Sequence, residues 1–417
     1  MSSICFYFQV HQPDRLRDYL FSEIKHSPFY LSEKKNREIL QKVANKCYLP
    51  MAGLLKSIIK RTNGAFKFSL SFSGVFLEQC EQFAPNVLES FRELVQSPSV
   101  EVLSETYYHS LAFLYSVEEW KKQIIEHREK IQEIFGVSTK VFRNTELIYN
   151  NFIGEQISKL GYKGIIAEGV KEKLTWRSPN FLYSNPQAKN LKILLKNYSL
   201  SDDIAFRFSN KQWKEWPLTA EKYTDWIDVA SLDGNLINLF MDFETFGEHQ
   251  WEDSGIFAFM ERLPFEVLGR KAHDFILPSE AIGRYSVVGE YDCPEYTSWA
   301  DQERDLSAWK SNRLQNHAFE YLYSLESRIK RINKKELTRI WKRLTTSDHV
   351  YYMCTKYYAD GDVHQYFSPY ETPYEAYINF MNVVKDLEYR IQAEESKIIN
   401  SKKNLLVYDE SNLLKAN

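Results

Sequence analysis

Four places in the chain set ionisable residues beside other polar groups within otherwise apolar sequence. They are His11 with Gln12 in HQP, Glu101 with Glu105 in EVLSE, Glu146 in FRNTELIY, and Asp242, Glu244 and His249 in LINLFMDFETFGEHQW. A single carboxylate in such a place usually caps a helix or sits in a solvated loop. Four clusters delivered to one place would supply a different chemistry. Two carboxylates facing each other across a sugar-sized gap are the minimal apparatus for glycoside hydrolysis. A metal site is the rival, with His11, Asp242 and His249 as ligands around a divalent ion, as in a barrel deacetylase or a zinc-dependent mannosidase. HQP, however, lacks the HxD or HxxxH spacing that supplies two ligands from one segment. The expected chemistry is therefore a carboxylate pair with no metal and no cofactor.

These residues need elements that carry them to a common end. In the last cluster a strand period of two puts Leu236, Asn238, Phe240, Asp242 and Glu244 on one face, and Ile237, Leu239, Met241 and Phe243 on the other. The N-terminus repeats the pattern, with Ile4, Phe6, Phe8 and Val10 opposed to Ser3, Cys5, Tyr7, Gln9 and His11. So does FKFSLSFS, where Phe66, Phe68, Leu70 and Phe72 alternate with Lys67 and three serines. Further strands are expected in EVLS (101–104), STKVFRNTE (138–146), YKGIIAE (162–168) and LKILLKN (191–197), giving six or seven. Strands that are apolar outward, and smaller or polar inward, suit a closed β/α barrel whose site lies at the strands' C-terminal ends. Between strands, Ser116 to Glu119 forms a capping box, and Trp120, Ile124, Ile131 and Ile134 recur at helical spacing until Gly136. The stretch 14–62 is a long insertion, helical in SEKKNREILQKVANKC and MAGLLKSIIKR, that would roof a cleft. Beyond residue 300 only helical patterns follow. The expected division is a barrel domain at 1–300, a helical domain at 301–400 and a frayed tail at 401–417.

Composition narrows the partners. A formal charge of −3 over 417 residues offers no basic field for a nucleic acid. Five scattered cysteines without a CxxC pair argue against a disulfide framework and for a reducing, cytoplasmic setting. No segment reaches the ~18 apolar residues of a membrane helix, and the N-terminus lacks a basic region and a cleavage site. The 9 Trp, 27 Tyr and 27 Phe make up 15% of the chain, more than a core of this size needs. Aromatic planes suit the apolar CH face of a pyranose.

HQP at 11–13, FRNTELIY at 142–149, MDFETFGEHQW at 241–251 and TSWAD at 297–301 resemble, in order and spacing, the sequence blocks of glycoside hydrolase family 57, in its short α-amylase-type branch. TSDHVYYMCTK (346–356) and HQYFSPYETPYEAY (364–377) extend the resemblance into the helical region. It implies an incomplete (β/α)7 barrel followed by a C-terminal α-helical bundle. It also implies a retaining mechanism on α-glucans, with Glu146 as nucleophile and Asp242 as general acid/base. Substrate contacts would come from His11, Glu101, Glu244, His249, Trp251, Trp299 and Asp301, with Glu105, Asp348 and His349 as further candidates. For Asp242 to hold a proton, burial or the charges of Glu244 and Glu146 must raise its pKa. A transferase or branching activity on the same scaffold, and a glucan-binding protein with a dead site, are the alternatives; retention of both carboxylates argues against the second.

Overall fold

The computed structural model describes residues 2–356 and 368–413, with side chains through residue 400. The first four residues of HQYFSPYETPYEAY and the last four of the tail thus lie outside the described residues. By its internal contacts the chain divides into two units, Met1–Pro13 with Lys34–Ala308, and Asp14–Glu33 with Trp309–Asn417.

The first unit is a barrel of parallel strands. They are β1 (Ser2–Val10), β2 (Phe68–Phe72), β3 (Val100–Val102), β4 (Val141–Arg143), β5 (Gly164–Glu168), β7 (Lys192–Lys196) and β8 (Leu236–Asp242). Pairing runs β1-β2-β3, then β4-β5-β7, then β8 back to β1. Two seams close the ring, and both are thin. β3 meets β4 through one bridge, Ser104 to Phe142, and β7 meets β8 through the single pair Lys196 and Asn238. The Asn238 amide strengthens the second seam by donating to the Leu195 carbonyl at 2.9 Å. Short strands not expected from the sequence complete the sheet. β6 (Leu182–Ser184) runs antiparallel to β7, β9 (His273–Phe275) extends the start of β1, and β10 (Val287–Glu290) pairs with β6.

The alternation read from the sequence sorts the strand residues between two cores. Ile4, Phe6, Phe8 and Val10 of β1, and Phe68, Leu70 and Phe72 of β2, pack outward on the surrounding helices. Those helices are α1 (Glu33–Val43), α2 (Leu49–Arg61), α3 (Gly74–Phe83), α4 (Pro85–Val95) and α5 (Val117–Phe135). Cys5, Tyr7, Leu103, Val141, Ile166, Leu194, Leu236 and Phe240 fill the barrel itself. Both faces are buried; the inward one carries smaller and polar groups because the barrel's interior is narrow and its C-terminal end opens on the mouth.

Ser116 caps α5 by accepting from the Glu119 amide, and Gly136 ends it in the left-handed region, as the capping box and the glycine imply. Both helices expected within 14–62 form. α1 and α2 are joined by a π-helical turn, Ala44–Tyr48, while Asp14–Glu33 groups with the C-terminal residues.

The second unit is helical, with Arg313–Ser324, Glu326–Ile332, Lys335–Leu344, Asp348–Tyr351 and Pro373–Leu413. Its N-terminal excursion is tied to the long last helix through polar side chains. Asn379 accepts from the Tyr19 amide at 2.6 Å, and the buried Asp386 takes the Lys25 amide, the Tyr30 hydroxyl and Arg390. The backbone is helical to Leu413, where a frayed tail was expected. All five cysteines are buried and free. Among the described residues, no helix is long and apolar enough to cross a membrane.

Candidate active site

Inward parity at the C-terminal end of the barrel strands delivers a layer of polar groups. Gln9 follows Tyr7 on β1, Arg143 follows Val141 on β4, Glu168 follows Ile166 on β5, Lys196 follows Leu194 on β7, and Asp242 follows Phe240 on β8. The first residues beyond β3 add Glu105. β4 and β8 lie on opposite sides of the ring, so the residue groups that follow them face each other across its mouth.

Glu146 sits just past β4 in a 3₁₀ turn, Thr145–Leu147, with a left-handed backbone (φ 57°). Only anchored neighbours keep a non-glycine residue there. Asn144 accepts from Trp120 Nε1 at 3.1 Å and donates to the Ile148 carbonyl at 2.9 Å, while Thr145 donates to the Ser110 carbonyl at 2.8 Å. The Asn and Thr of FRNTE are thus accounted for by what they anchor. The Glu146 carboxylate receives His109 Nε2 at 2.8 Å on one oxygen and the Trp299 indole N–H at 2.7 Å on the other. Burial alone would raise its pKa, but the His109 hydrogen bond and charge, Arg143 and the Trp299 donor together hold it below the ordinary value.

His109 is itself held. Its other nitrogen faces Glu105 at 3.3 Å, and Glu105 also accepts from Gln9 Nε2 and Ser71 Oγ, each at 3.0 Å. Arg143 lies 3.8 Å from the same carboxylate. Despite complete burial these partners bring Glu105 down to about 2. His109 is pushed the other way: burial opposes its charge, but two carboxylates raise it to about 9, so it bridges them as a cation. His11 stacks on the His109 ring at 3.9 Å and shares a 2.6 Å hydrogen bond with Ser73.

Asp242 behaves oppositely to Glu146. Burial first, then the charge of Glu146, raise it to about 6 against the pull of Arg143, His109 and Lys196. Its main influences are burial and charges rather than hydrogen bonds. Glu244 was expected to share the Asp242 strand face, but β8 stops at Asp242 and a 3₁₀ turn, Phe243–Thr245, intervenes. Its carboxylate instead accepts from Tyr48 of the π-helical turn at 2.5 Å and from the His11 amide at 3.4 Å. Burial, followed by Asp242, raises Glu244 to about 8. Of the two charges expected to raise Asp242, it is therefore Glu146 that acts.

The other candidates scatter. Glu101 is level with Ser69 and hence with Tyr7, below the mouth, and accepts from the Ser279 amide at 2.9 Å. Burial lifts it to about 7. Glu105 occupies the mouth in its place. His249 is partly buried and lowered to about 4 by desolvation. Trp251 is 57% exposed, beneath the Lys46 ammonium, and Asp301 lies in a left-handed turn (φ 56°) two residues beyond Trp299. Asp348 and His349 belong to the second unit, where His349 is buried against Phe380. The ligand atoms of His11, Asp242 and His249 do not all lie within 4.8 Å of one another, so the rival metal triad does not assemble.

His109 and Arg143 were missed. The Glu105–His109 spacing of four, and a charged residue at an inward position of a buried strand, were the available signals.

The family model for glycosyl hydrolase family 57 matches residues 5–294. The chain belongs to this family. A Methanocaldococcus jannaschii protein named "Putative alpha-amylase" is 44% identical over 405 residues, which cover 93% of this chain and 85% of that protein. Among solved structures, a family 57 branching enzyme from Thermococcus kodakaraensis superposes with a TM-score of 0.69 at 14% identity, over 94% of this chain and 90% of its own. An alpha-amylase from Thermotoga maritima does so with a TM-score of 0.60 at 11% identity, over 94% and 96%. At such identities the likeness shows the family 57 fold.

Proposed function

We propose that the protein is a retaining glycoside hydrolase of α-glucans, cleaving α-1,4-linked glucose oligomers, starch or glycogen through a glycosyl-enzyme intermediate. Glu146 attacks the anomeric carbon as the nucleophile. Asp242 protonates the leaving oxygen, then removes a proton from the incoming water. One observation carries this reading: the two carboxyls rise from opposite sides of one mouth, with surroundings that separate their pKa values. His109 and Trp299 keep Glu146 ionised, while burial and the Glu146 charge keep a proton on Asp242 up to about 6. The α-glucan assignment leans on the names of the related amylase and branching enzyme. His11, Glu244 and the Trp299 ring are the nearest groups for binding sugar hydroxyls and faces. His249, Trp251 and Asp301 are outlying contacts, and Glu101 supports the floor.

Chromatography of the products from maltooligosaccharides and from glycogen tests this. Shorter oligomers and glucose are expected, with the first-formed anomer retained by NMR. Longer oligomers or new branch points would move the activity to transfer, and an inverted first anomer would sink the roles given to Glu146 and Asp242. Dialysis against EDTA is expected to leave turnover unchanged. Loss on chelation, restored by a divalent metal, would overturn the carboxylate-pair mechanism.

A further inference from the structure

Behind Trp299 lies a cluster of four charges. Glu168 ends β5 and Lys196 ends β7, opposite one another in register. Asp202 closes the short helix Tyr198–Asp202, and Arg304 lies on the loop that carries Trp299. Lys196 Nζ reaches Asp202 at 2.9 Å and Glu168 at 3.6 Å, while Arg304 meets Glu168 at 3.0 Å and Asp202 at 2.8 Å. Glu168 is fully buried, and Lys196 and Asp202 nearly so. No hydrogen bond or ion pair among the described residues joins any of the four to Glu146 or Asp242. Arg304 bonds the cluster directly to the Trp299 backbone.

We propose that Glu168, Lys196, Asp202 and Arg304 are positioning residues that fix the Trp299 indole, and through it the Glu146 carboxylate. The inference rests on the reading of Glu146 as the reacting group. Arg304 donates to the Trp299 carbonyl at 3.1 Å, and the Ser298 amide donates to the Arg304 carbonyl at 3.0 Å. On the near side, the Trp299 amide and the Ser298 hydroxyl both donate to the Glu146 carbonyl, at 3.2 and 3.1 Å. The ring lies beneath two cations, Lys196 Nζ at 5.4 Å and the Arg143 guanidinium at 5.2 Å from its centroid. The intervening turn holds Asp301 and Arg304 in the left-handed region (φ 56° and 55°), a conformation that relaxes unless both ends are fastened. Well-packed apolar side chains would stabilise this place at least as well as buried charges do, so orientation is what the cluster supplies. An indole donating at 2.7 Å to a reacting carboxylate has to be held to a fraction of an ångström.

The test uses the full chain carrying Arg304→Gln, Arg304→Lys or Asp202→Asn, with ¹⁵N-labelled indoles and the Trp299 resonance assigned by Trp299→Phe. In the wild type this N–H resonates downfield and follows the titration of Glu146. In Arg304→Gln it is expected to move upfield and to lose that dependence, while kcat on a maltooligosaccharide falls about 10- to 100-fold and KM changes less than about twofold. Arg304→Lys should restore part of both. If Arg304→Gln does not fold, Asp202→Asn gives the same two readings. A folded variant whose Trp299 resonance keeps its position and still follows Glu146 overturns the proposal. A wild-type enzyme inactive on glucans would instead sink the functional reading, leaving the indole measurement to decide the positioning.

Discussion

The site sets two carboxyls apart: donors and cations outweigh burial at Glu146, whereas burial and the Glu146 charge outweigh the cations at Asp242. Glu146→Gln keeps the shape and removes the proposed nucleophile, so kcat should drop by roughly 10⁴-fold or more. The same change removes the second-largest influence raising Asp242, whose pKa should then fall, measurable by ¹³C NMR of its carboxyl carbon. Near-normal turnover in that variant would eliminate the assignment. His109 makes the complementary case. His109→Gln takes away the cation that offsets burial at Glu146, so the Glu146 pKa rises and the acid limb of the kcat/KM profile should move to higher pH. The alkaline limb, set by loss of the Asp242 proton near 6, should stay within about half a unit, because His109 contributes less to Asp242 than burial, Glu146 and Arg143 do. An unmoved acid limb would show that His109 does not tune the nucleophile.

At the scale of elements, side-chain reach matters less than where each strand is made to stop. β8 ends at Asp242 because the next residues turn into a 3₁₀ segment, and that turn is locked by a close approach of backbone to backbone. Gly247 has φ 109°, and a Cβ there would meet the Lys46 carbonyl at 2.0 Å. The same π-helical turn that presents Lys46 also presents Cys47 to the Phe243 carbonyl at 3.3 Å and Tyr48 to Glu244. Gly247→Ala should therefore destabilise by about 2 to 5 kcal/mol, from backbone strain and overpacking combined. It should also lower kcat by displacing the end of β8. A calorimetric midpoint within a degree of wild type would refute the argument.

For the first unit as a whole, ionisable groups enclosed in the barrel make stability depend on pH in a definite direction. Glu101, Asp242 and Glu244 are raised to about 7, 6 and 8, so each contributes stability that is full below its unfolded value near 4 and lost as pH rises through its folded value. His109, raised to about 9, likewise contributes below about 6.5 and loses that contribution as pH rises through 9. Glu105, lowered to about 2, works in the other direction: its contribution is present above about 4.5 and lost as pH falls toward 2. The thermal midpoint should therefore be highest at about pH 4 to 4.5, fall between about pH 5 and 8 as the three raised carboxyls ionise, and go on falling toward pH 9 as His109 loses its proton. Glu244→Gln should flatten the part of that decline below pH 8. A midpoint that climbs steadily from pH 6 to 9 would contradict these environments.

The sequence alone determined what depends on period and local chemistry. Alternation along residues 2–10, 66–72 and 236–242 established which side chains face the barrel and which face the helices, because a strand offers only two faces. The capping box and Gly136 marked the ends of α5, because those signals act within one turn. The polar strings around Glu146 and Asp242 marked the candidate site, because core packing alone does not call for them. Tertiary structure decided what depends on distance in space. It replaced Glu101 by Glu105 at the mouth, since three residues of chain, Val102 to Ser104, separate the floor from the rim. It turned Glu244 toward Tyr48, because a strand's parity ends where the strand ends. It also brought His109, Arg143 and Trp299 around one carboxylate, and Glu168, Lys196, Asp202 and Arg304 together against Trp299, from segments far apart in the chain. Their charges have meaning only in pairs, and pairing across a barrel is not written in the spacing of any one strand.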